Sequence, residues 1–239
     1  MQNSNYTSDF YAGFIEISEQ SAFEILPIIF QLHKPKSLID VGCGTGTWLA
    51  AAKKLNVPIV KGLDGAWVKK EQLKISYSDF IATELPVIPH DLGKFELGIS
   101  VEVAEHLHPK DADTFIDNLV ILSDNWIFSA CPPGLGGTDH FNEQPQSFWM
   151  NKFIKHGFEV FDLIRPIHWN NDKVALYYRQ NILFYTKEKD IQNKCREIIS
   201  KSGYFIADVY HPDYFNNASD LNGRDALKLA INKILKRIF

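Results

Sequence analysis

An apolar stretch, Leu38-Ile39-Asp40-Val41, runs directly into Gly42-Cys43-Gly44-Thr45-Gly46 and then into an alanine-rich segment from Thr47 to Leu55. A strand that ends in glycines and restarts as a helix leaves backbone N–H groups, unpaired and partly positive, at the strand's carboxyl end. Glycine also admits positive φ and lets a ligand touch the main chain. Short apolar runs and amphipathic stretches alternate downstream. Ser37 to Val41, Pro58 to Leu63, Val87 to Pro89, Leu97 to Val101 and Trp126 to Ala130 read as strands. Phe158 to Leu163 and Asn181 to Tyr185 read as a final antiparallel pair. Asp111 to Leu122 places Ala112, Phe115, Ile116, Leu119 and Leu122 on one helical face, and Gln146 to His156 forms a further helix stopped by Gly157. The pattern predicts an α/β fold around a mostly parallel sheet.

The glycines fall as G-x-G-x-G, whereas a dinucleotide loop reads G-x-G-x-x-G. Asp40, just ahead of the first glycine, suits a ligand carrying an amine and a sulfonium better than a pyrophosphate. Asp64 closes the second strand, where a carboxylate can accept two ribose hydroxyls; it also suits a helix N-cap. Asp91 with the backbone N–H beside it can read an adenine edge, and Leu92 can pack on the ring. Glu102, Glu105 and His106, in Ser100-Val101-Glu102-Val103-Ala104-Glu105-His106-Leu107, reach the carboxyl edge of the sheet, where open α/β folds bind ligands.

In their order and spacing, Asp40-x-Gly42-x-Gly44-x-Gly46, Asp64, Asp91-Leu92 and Glu102-Val103-Ala104-Glu105-His106-Leu107 resemble the class I S-adenosylmethionine-dependent methyltransferases over residues 36–186. The resemblance implies a Rossmann-like seven-stranded sheet with helices on both faces and one antiparallel strand. S-adenosyl-L-methionine is the implied cofactor and S-adenosyl-L-homocysteine the product. The loop from Asp40 to Gly46 would hold the methionine moiety, Asp64 the ribose, and Asp91 with Leu92 the adenine, with Glu102 beside them. Residues 1–35 read as an N-terminal helical extension with a helix from Ser18 to Leu32 interrupted by Pro27. Residues 187–239 read as a C-terminal helical appendage, whose last helix from Gly223 carries an apolar stripe suited to packing or homodimerisation.

An alcohol acceptor requires a general base, and an anionic acceptor requires cationic or N–H donors. The loop Pro133 to Gln144 gathers three glycines with Asp139, His140, Asn142 and Glu143. His140 is the first candidate base, with Asp139 or Glu143 orienting it and facing the substrate; His106 is the second. Arg165, Tyr178 and Arg179, amid aromatics, suit a sugar or a phosphorylated molecule. Asp139, His140 and Glu143 could ligate Mg²⁺ or another divalent ion, and His108 with Asp111 to Asp113 could join His106, but the expectation is no metal. Cys131-Pro132-Pro133-Gly134 departs from the Asn- or Asp-Pro-Pro-aromatic motif of base-amino methyltransferases, which counts against nucleobase methylation.

Residues Asp139 to Pro145, Ser147-Phe148-Trp149 and Tyr178-Arg179-Gln180-Asn181 look like methyltransferases of bacterial surface-polysaccharide and natural-product pathways, some acting on sugars and one group making the O-methyl phosphoramidate of capsules. That resemblance implies O-methylation of a sugar, nucleotide-sugar or phosphate- or phosphoramidate-bearing molecule. A net charge of -4 opposes a nucleic-acid partner. Three scattered cysteines indicate a reducing compartment. Without a transmembrane run or a basic and apolar leader, a cytoplasmic location is expected. A non-catalytic cofactor-binding subunit and a natural-product or protein methyltransferase are the alternatives; the glycine spacing disfavours an NAD-dependent oxidoreductase.

Overall fold

Successive side chains of a strand face opposite sides of its sheet, and here each side meets its own helical layer. The computed structural model describes residues 8–89, 91–199 and 205–216. Its strands are β1 (Ser37–Val41), β2 (Ile59–Asp64), β3 (Phe80–Ala82), β4 (Leu97–Val101), β5 (Asn125–Ser129), β6 (Glu159–Phe161) and β7 (Leu183–Thr186). They form one seven-stranded sheet in the order β3-β2-β1-β4-β5-β7-β6. Only β7 runs against the rest, pairing antiparallel with β5 and β6.

Leu38, Val60, Ile99, Ile127 and Phe184 pack against α1 (Ser8–Leu32), α2 (Thr47–Lys54) and, at the sheet's far end, α7 (Lys189–Ile199). Ile39, Leu63, Trp126, Phe128 and Tyr185 face α3 (Ala112–Leu122) and α4 (Gln146–Lys155). The large Trp126 ring fits because β4 offers Gly98 opposite it; a Cβ there would lie 2.6 Å from the indole. α5 (Arg165–His168) and α6 (Leu176–Asn181) link β6 to β7, and α8 (Asp213–Asn216) closes the described chain.

Three expectations change. The third strand is Phe80–Ala82, beside β2 in the register Gly62↔Phe80, and not Val87 to Pro89. Pro86 and Pro89 remove ladder donors on either side of Val87. α1 begins at Ser8 and continues through Pro27. Pro27 is only half-buried, while Ala22, Ile25, Leu26, Ile29 and Leu32 bury the opposite stripe, which outweighs one lost backbone bond. Residues 189–199 place Ile191 and Cys195 in the same core as α1 and α2. The helix expected from Gly223 lies outside the described residues. Among the described residues no helix is long and apolar enough to cross a membrane.

Gly62 lies under the start of α2, where a Cβ would approach Cys43 Sγ at 2.7 Å and Leu49 Cδ1 at 2.8 Å. Overpacking of this kind costs about 1–3 kcal/mol. Gly62→Ala is therefore expected to lower the melting temperature by roughly 2–10 °C, measured by thermal denaturation.

Candidate active site

The carboxyl ends of β1 and β2 build a cradle. Gly42, Gly44 and Gly46 all take positive φ, at 83°, 54° and 81°. The Gly42 and Cys43 N–H groups donate to the Leu63 carbonyl at 2.8 and 3.0 Å, bending the chain across β2. Two of the glycines are required by packing: a Cβ on Gly42 would lie 2.3 Å from Val103, and one on Gly46 would lie 2.9 Å from Ile75. Gly44 differs, because no atom lies within 4 Å of where its Cβ would be. Its N–H donates to Asp64 Oδ2 at 2.6 Å, and Gly65 N–H donates to Oδ1 at 2.6 Å. Asp40 is 2% exposed beneath this loop. Burial, reinforced by the Asp64 charge, holds its carboxyl well above the usual range. Burial raises Asp64 too, against the two N–H bonds. Two adjacent buried carboxyls under an open glycine form a site that favours a cationic ligand.

Beyond the cradle, β4 turns sharply at Glu102, a non-glycine residue at φ 55°. Such strain costs of the order of 1–3 kcal/mol and tends to occur at functional sites. The turn sends Val103 onto Gly42 and leads into a single 3-10 turn, Ala104–His106. The Glu105 carbonyl accepts the N–H groups of Phe141 and Asn142, both at 2.9 Å, which fastens the loop after β5 to this turn. The rings of His106 and His140 consequently meet edge to face at 4.7 Å between centroids. His106 Nδ1 lies 3.3 Å from the Asp139 carbonyl, and His140 Nδ1 lies 3.2 Å from Glu143 Oε1. Glu143 Oε2 accepts the Gly134 N–H at 2.8 Å.

Charge accumulates here. Burial raises the Glu105 carboxyl, and Glu102 and Glu143 add to the rise. Burial lowers His106, with His140 contributing. Burial pushes Glu102 up to about 7, although Ser129 and Asn181 hydrogen-bond its anion. Below the ordinary value of 4.5 both folded and unfolded chains carry this proton, so no penalty applies. Between 4.5 and about 7 the unfolded chain releases it first, so stability falls as pH rises and levels off above 7. Glu102→Gln removes that penalty. Its melting temperature relative to the parent is expected to rise by a few degrees between pH 5 and pH 8, measured by thermal denaturation in the absence of ligands.

Neither a protein-family model nor any curated protein matches the chain. Solved structures do. Magnesium protoporphyrin IX methyltransferase from Synechocystis PCC 6803, with bound SAM, superposes with a TM-score of 0.53 at 17% identity, over 72% of this chain and 80% of that one. The methyltransferase domain of bacterial CtHen1 gives 0.52 at 18% identity, over 70% and 98%. An O-methyltransferase family protein from Burkholderia thailandensis gives 0.51 at 12% identity, over 74% and 56%. The chain has the class I methyltransferase fold.

Within that fold the sequence-predicted residues divide into two groups. Asp40, Gly42, Gly44, Gly46 and Asp64 share the cradle, and Glu102, Asp139, His140, Glu143 and His106 share the adjoining cluster. Asp91 is exposed in the turn after β3, and Leu92 packs half-buried against the second core. The expected substrate contacts Arg165, Tyr178 and Arg179 are engaged elsewhere. Arg165 donates to Asp162 at 3.0 Å and to the carbonyls of Ala207 and Ile206 at 2.9 and 2.8 Å. Tyr178 is a core residue: its hydroxyl lies 3.3 Å from Ser18 Oγ, its ring meets Trp48, and burial pushes it up to about 12. Arg179 spends both terminal nitrogens on Asp172 and Asp213, at 2.7 and 3.1 Å.

Several residues join the site unannounced. Asn181 donates to both Glu102 oxygens, at 3.1 and 3.2 Å, and accepts from Gln146 and Gln180. Segment 205–216 crosses the same edge. Tyr210 donates to the Pro133 carbonyl at 3.0 Å, and His211 is fixed between Gln180, Trp169 and Asp213. Tyr214 follows, pushed up by burial and by the charge of Glu102. Two of the residues beside the expected ones carried a sequence signal: Glu105, three residues after Glu102 and directly before His106 behind a strand end, and Asn181, within the Tyr178-Arg179-Gln180-Asn181 block.

Proposed function

We propose that this chain is an S-adenosylmethionine-dependent O-methyltransferase acting on the hydroxyl of a small polar molecule. The observation that carries the reading is Gly44, which opens onto free space beside the paired buried carboxyls of Asp40 and Asp64. A ligand with a positive sulfonium and amine relieves those carboxyls, whereas a pyrophosphate would be repelled by them. The group therefore fits the residues present. Asp40 and the loop to Gly46 would hold its methionine part. Asp64 would hold the ribose, since each of its oxygens keeps a further lone pair after accepting one N–H. Asp91 and Leu92 would hold the adenine. When bound, the cofactor supplies an electrophilic methyl group.

The rest of the chemistry belongs to the chain. Val103 packs on Gly42, so the cluster of Glu105, His106, His140 and Glu143 adjoins the cradle. It holds groups able to take or weaken a hydroxyl proton. It is also acidic, which disfavours a phosphate acceptor now that Arg165 and Arg179 are paired internally. A sugar or nucleotide-sugar of surface-polysaccharide biosynthesis, as the resemblance of residues 130–186 implies, is the acceptor class we favour.

The test is a panel of sugars, nucleotide sugars and phosphorylated small molecules incubated with the full chain and S-adenosylmethionine, read by S-adenosylhomocysteine release. Turnover with a hydroxylated member and none with acceptors whose hydroxyls are blocked is expected. Cofactor binding without turnover on any member would favour a non-catalytic subunit.

A further inference from the structure

We propose that Glu105, His106 and His140 form a binding site for a divalent transition-metal ion. One ligand atom from each lies within 4.8 Å of the others. Three features of the geometry point to a cation.

The first is the state of the two imidazoles. His106 Nδ1 faces a backbone carbonyl and His140 Nδ1 faces a carboxylate. Both are acceptors, so each Nδ1 carries the hydrogen and each Nε2 is left with its lone pair. A histidine that donates from one nitrogen to a carbonyl or carboxylate is oriented as metal-binding histidines are. Glu143 acts as such an orienting group: one oxygen accepts from His140 and the other from Gly134. The two rings reach each other only because the Glu105 carbonyl clamps Phe141 and Asn142.

The second is Glu105. Glu105 is 1% exposed; the backbone N–H groups of Glu105 and Cys131 bond to its carboxyl, but Oε2 is buried with no hydrogen-bond partner among the described residues. A buried carboxylate oxygen without a donor is costly. The charged side chains acting on it are Glu102 and Glu143, of its own sign. Among the described residues neither lysine nor arginine pairs with Glu105, and the only ion pair in the cluster is His140 with Glu143. A divalent ion would supply the missing partner.

The third is the donor set. Two imidazoles and one carboxylate suit Mn²⁺, Fe²⁺, Co²⁺ or Zn²⁺ better than Mg²⁺ or Ca²⁺, which prefer oxygen alone. Three protein ligands leave coordination positions open, as in catalytic sites rather than closed structural ones. A second grouping, Cys131, His140 and Glu143, shares His140. It is the poorer choice, since both Glu143 oxygens already accept hydrogen bonds. Resting on the transferase reading, the ion's open positions would take the acceptor's hydroxyl oxygen and lower its pKa. His106 and His140 then serve as ligands and not as bases.

The test titrates the full, chelator-stripped chain with Co²⁺ alone, followed by visible absorption and calorimetry, with no nucleoside present. One Co²⁺ per chain is expected, without a thiolate charge-transfer band. His106→Ala and His140→Ala should each weaken binding at least 100-fold, and Glu143→Gln by about 10–100-fold, with the melting temperature of the metal-free variants confirming their fold. As a measurement free of substitution, Co²⁺ should raise the parent's melting temperature. No binding, binding indifferent to the histidine variants, or a thiolate band pointing to Cys131 would overturn the site. A chain that binds S-adenosylhomocysteine but fails to bind Co²⁺ sinks the metal site and leaves the transferase reading; a chain that binds Co²⁺ but fails to bind S-adenosylhomocysteine when it is offered does the reverse.

Discussion

Asp64→Ala is expected to weaken S-adenosylhomocysteine binding by roughly 100-fold or more. Asp64 is 9% exposed and already accepts two short N–H bonds, from Gly44 and Gly65. Those bonds fix the carboxylate plane and leave both oxygens able to accept a ribose hydroxyl. A hydrogen bond to a charged group contributes about 1.5–3 kcal/mol, so losing two removes about 3 kcal/mol at least, which is two decades in affinity. The substitution also frees the Gly44 N–H and with it the floor of the cradle. Asp64→Asn should lose nearly as much. An amide offers one oxygen and one NH₂, and the NH₂ would face either the Gly44 or the Gly65 donor. Calorimetric titration of both variants, with melting curves to confirm the fold, measures the effect. A change below threefold in either would remove the ribose from Asp64 and with it the assignment of the cradle.

The cradle was legible because its chemistry is contiguous. Asp40 to Gly46 is one strand end and one turn, and Asp64 ends the next strand, so local pattern and parallel pairing together bring the two acids side by side. The apolar runs at Leu38-Ile39 and Trp126 to Phe128 read as strands, and the structure assigns Leu38 and Ile127 to one core and Ile39, Trp126 and Phe128 to the other. Signals shorter than one turn or one strand were lost. β3 has three residues on the sheet's edge, too few for a period to show. The arginines' internal partners were hidden for a different reason. A guanidinium beside aromatics reads as a phosphate ligand until the chain's own acids are placed: Asp162 pairs with Arg165 from three residues away, whereas Asp172 and Asp213 reach Arg179 through a turn and through segment 205–216. Tyr214 and His211 carry no pattern at all, since their positions depend on contacts with α6 and with the loop after β5.

The histidine pair carries the second large effect. His140→Ala is expected to lower the rate of methyl transfer by about 10²–10⁴-fold, the range typical of losing help with the reacting proton, here through loss of the ion that would lower the hydroxyl's pKa. S-adenosylhomocysteine affinity should change little, since the imidazole touches Glu143 and His106 and not the glycine loop. His106→Ala should act in the same range. The double variant should be hardly worse than the poorer single one, because residues that act as a unit are not additive. Single-turnover rates at saturating cofactor separate this from a binding defect. The variants also divide the two roles open to the rings. If they are ligands, raising the Co²⁺ concentration restores part of the rate to either single variant, and imidazole in the buffer restores none. That is the expected outcome, because each ring already gives its Nδ1 hydrogen to a fixed acceptor and is held for its remaining lone pair. Rescue by imidazole with no response to metal would return the rings to proton transfer, while full activity in the double variant would move the chemistry out of this cluster.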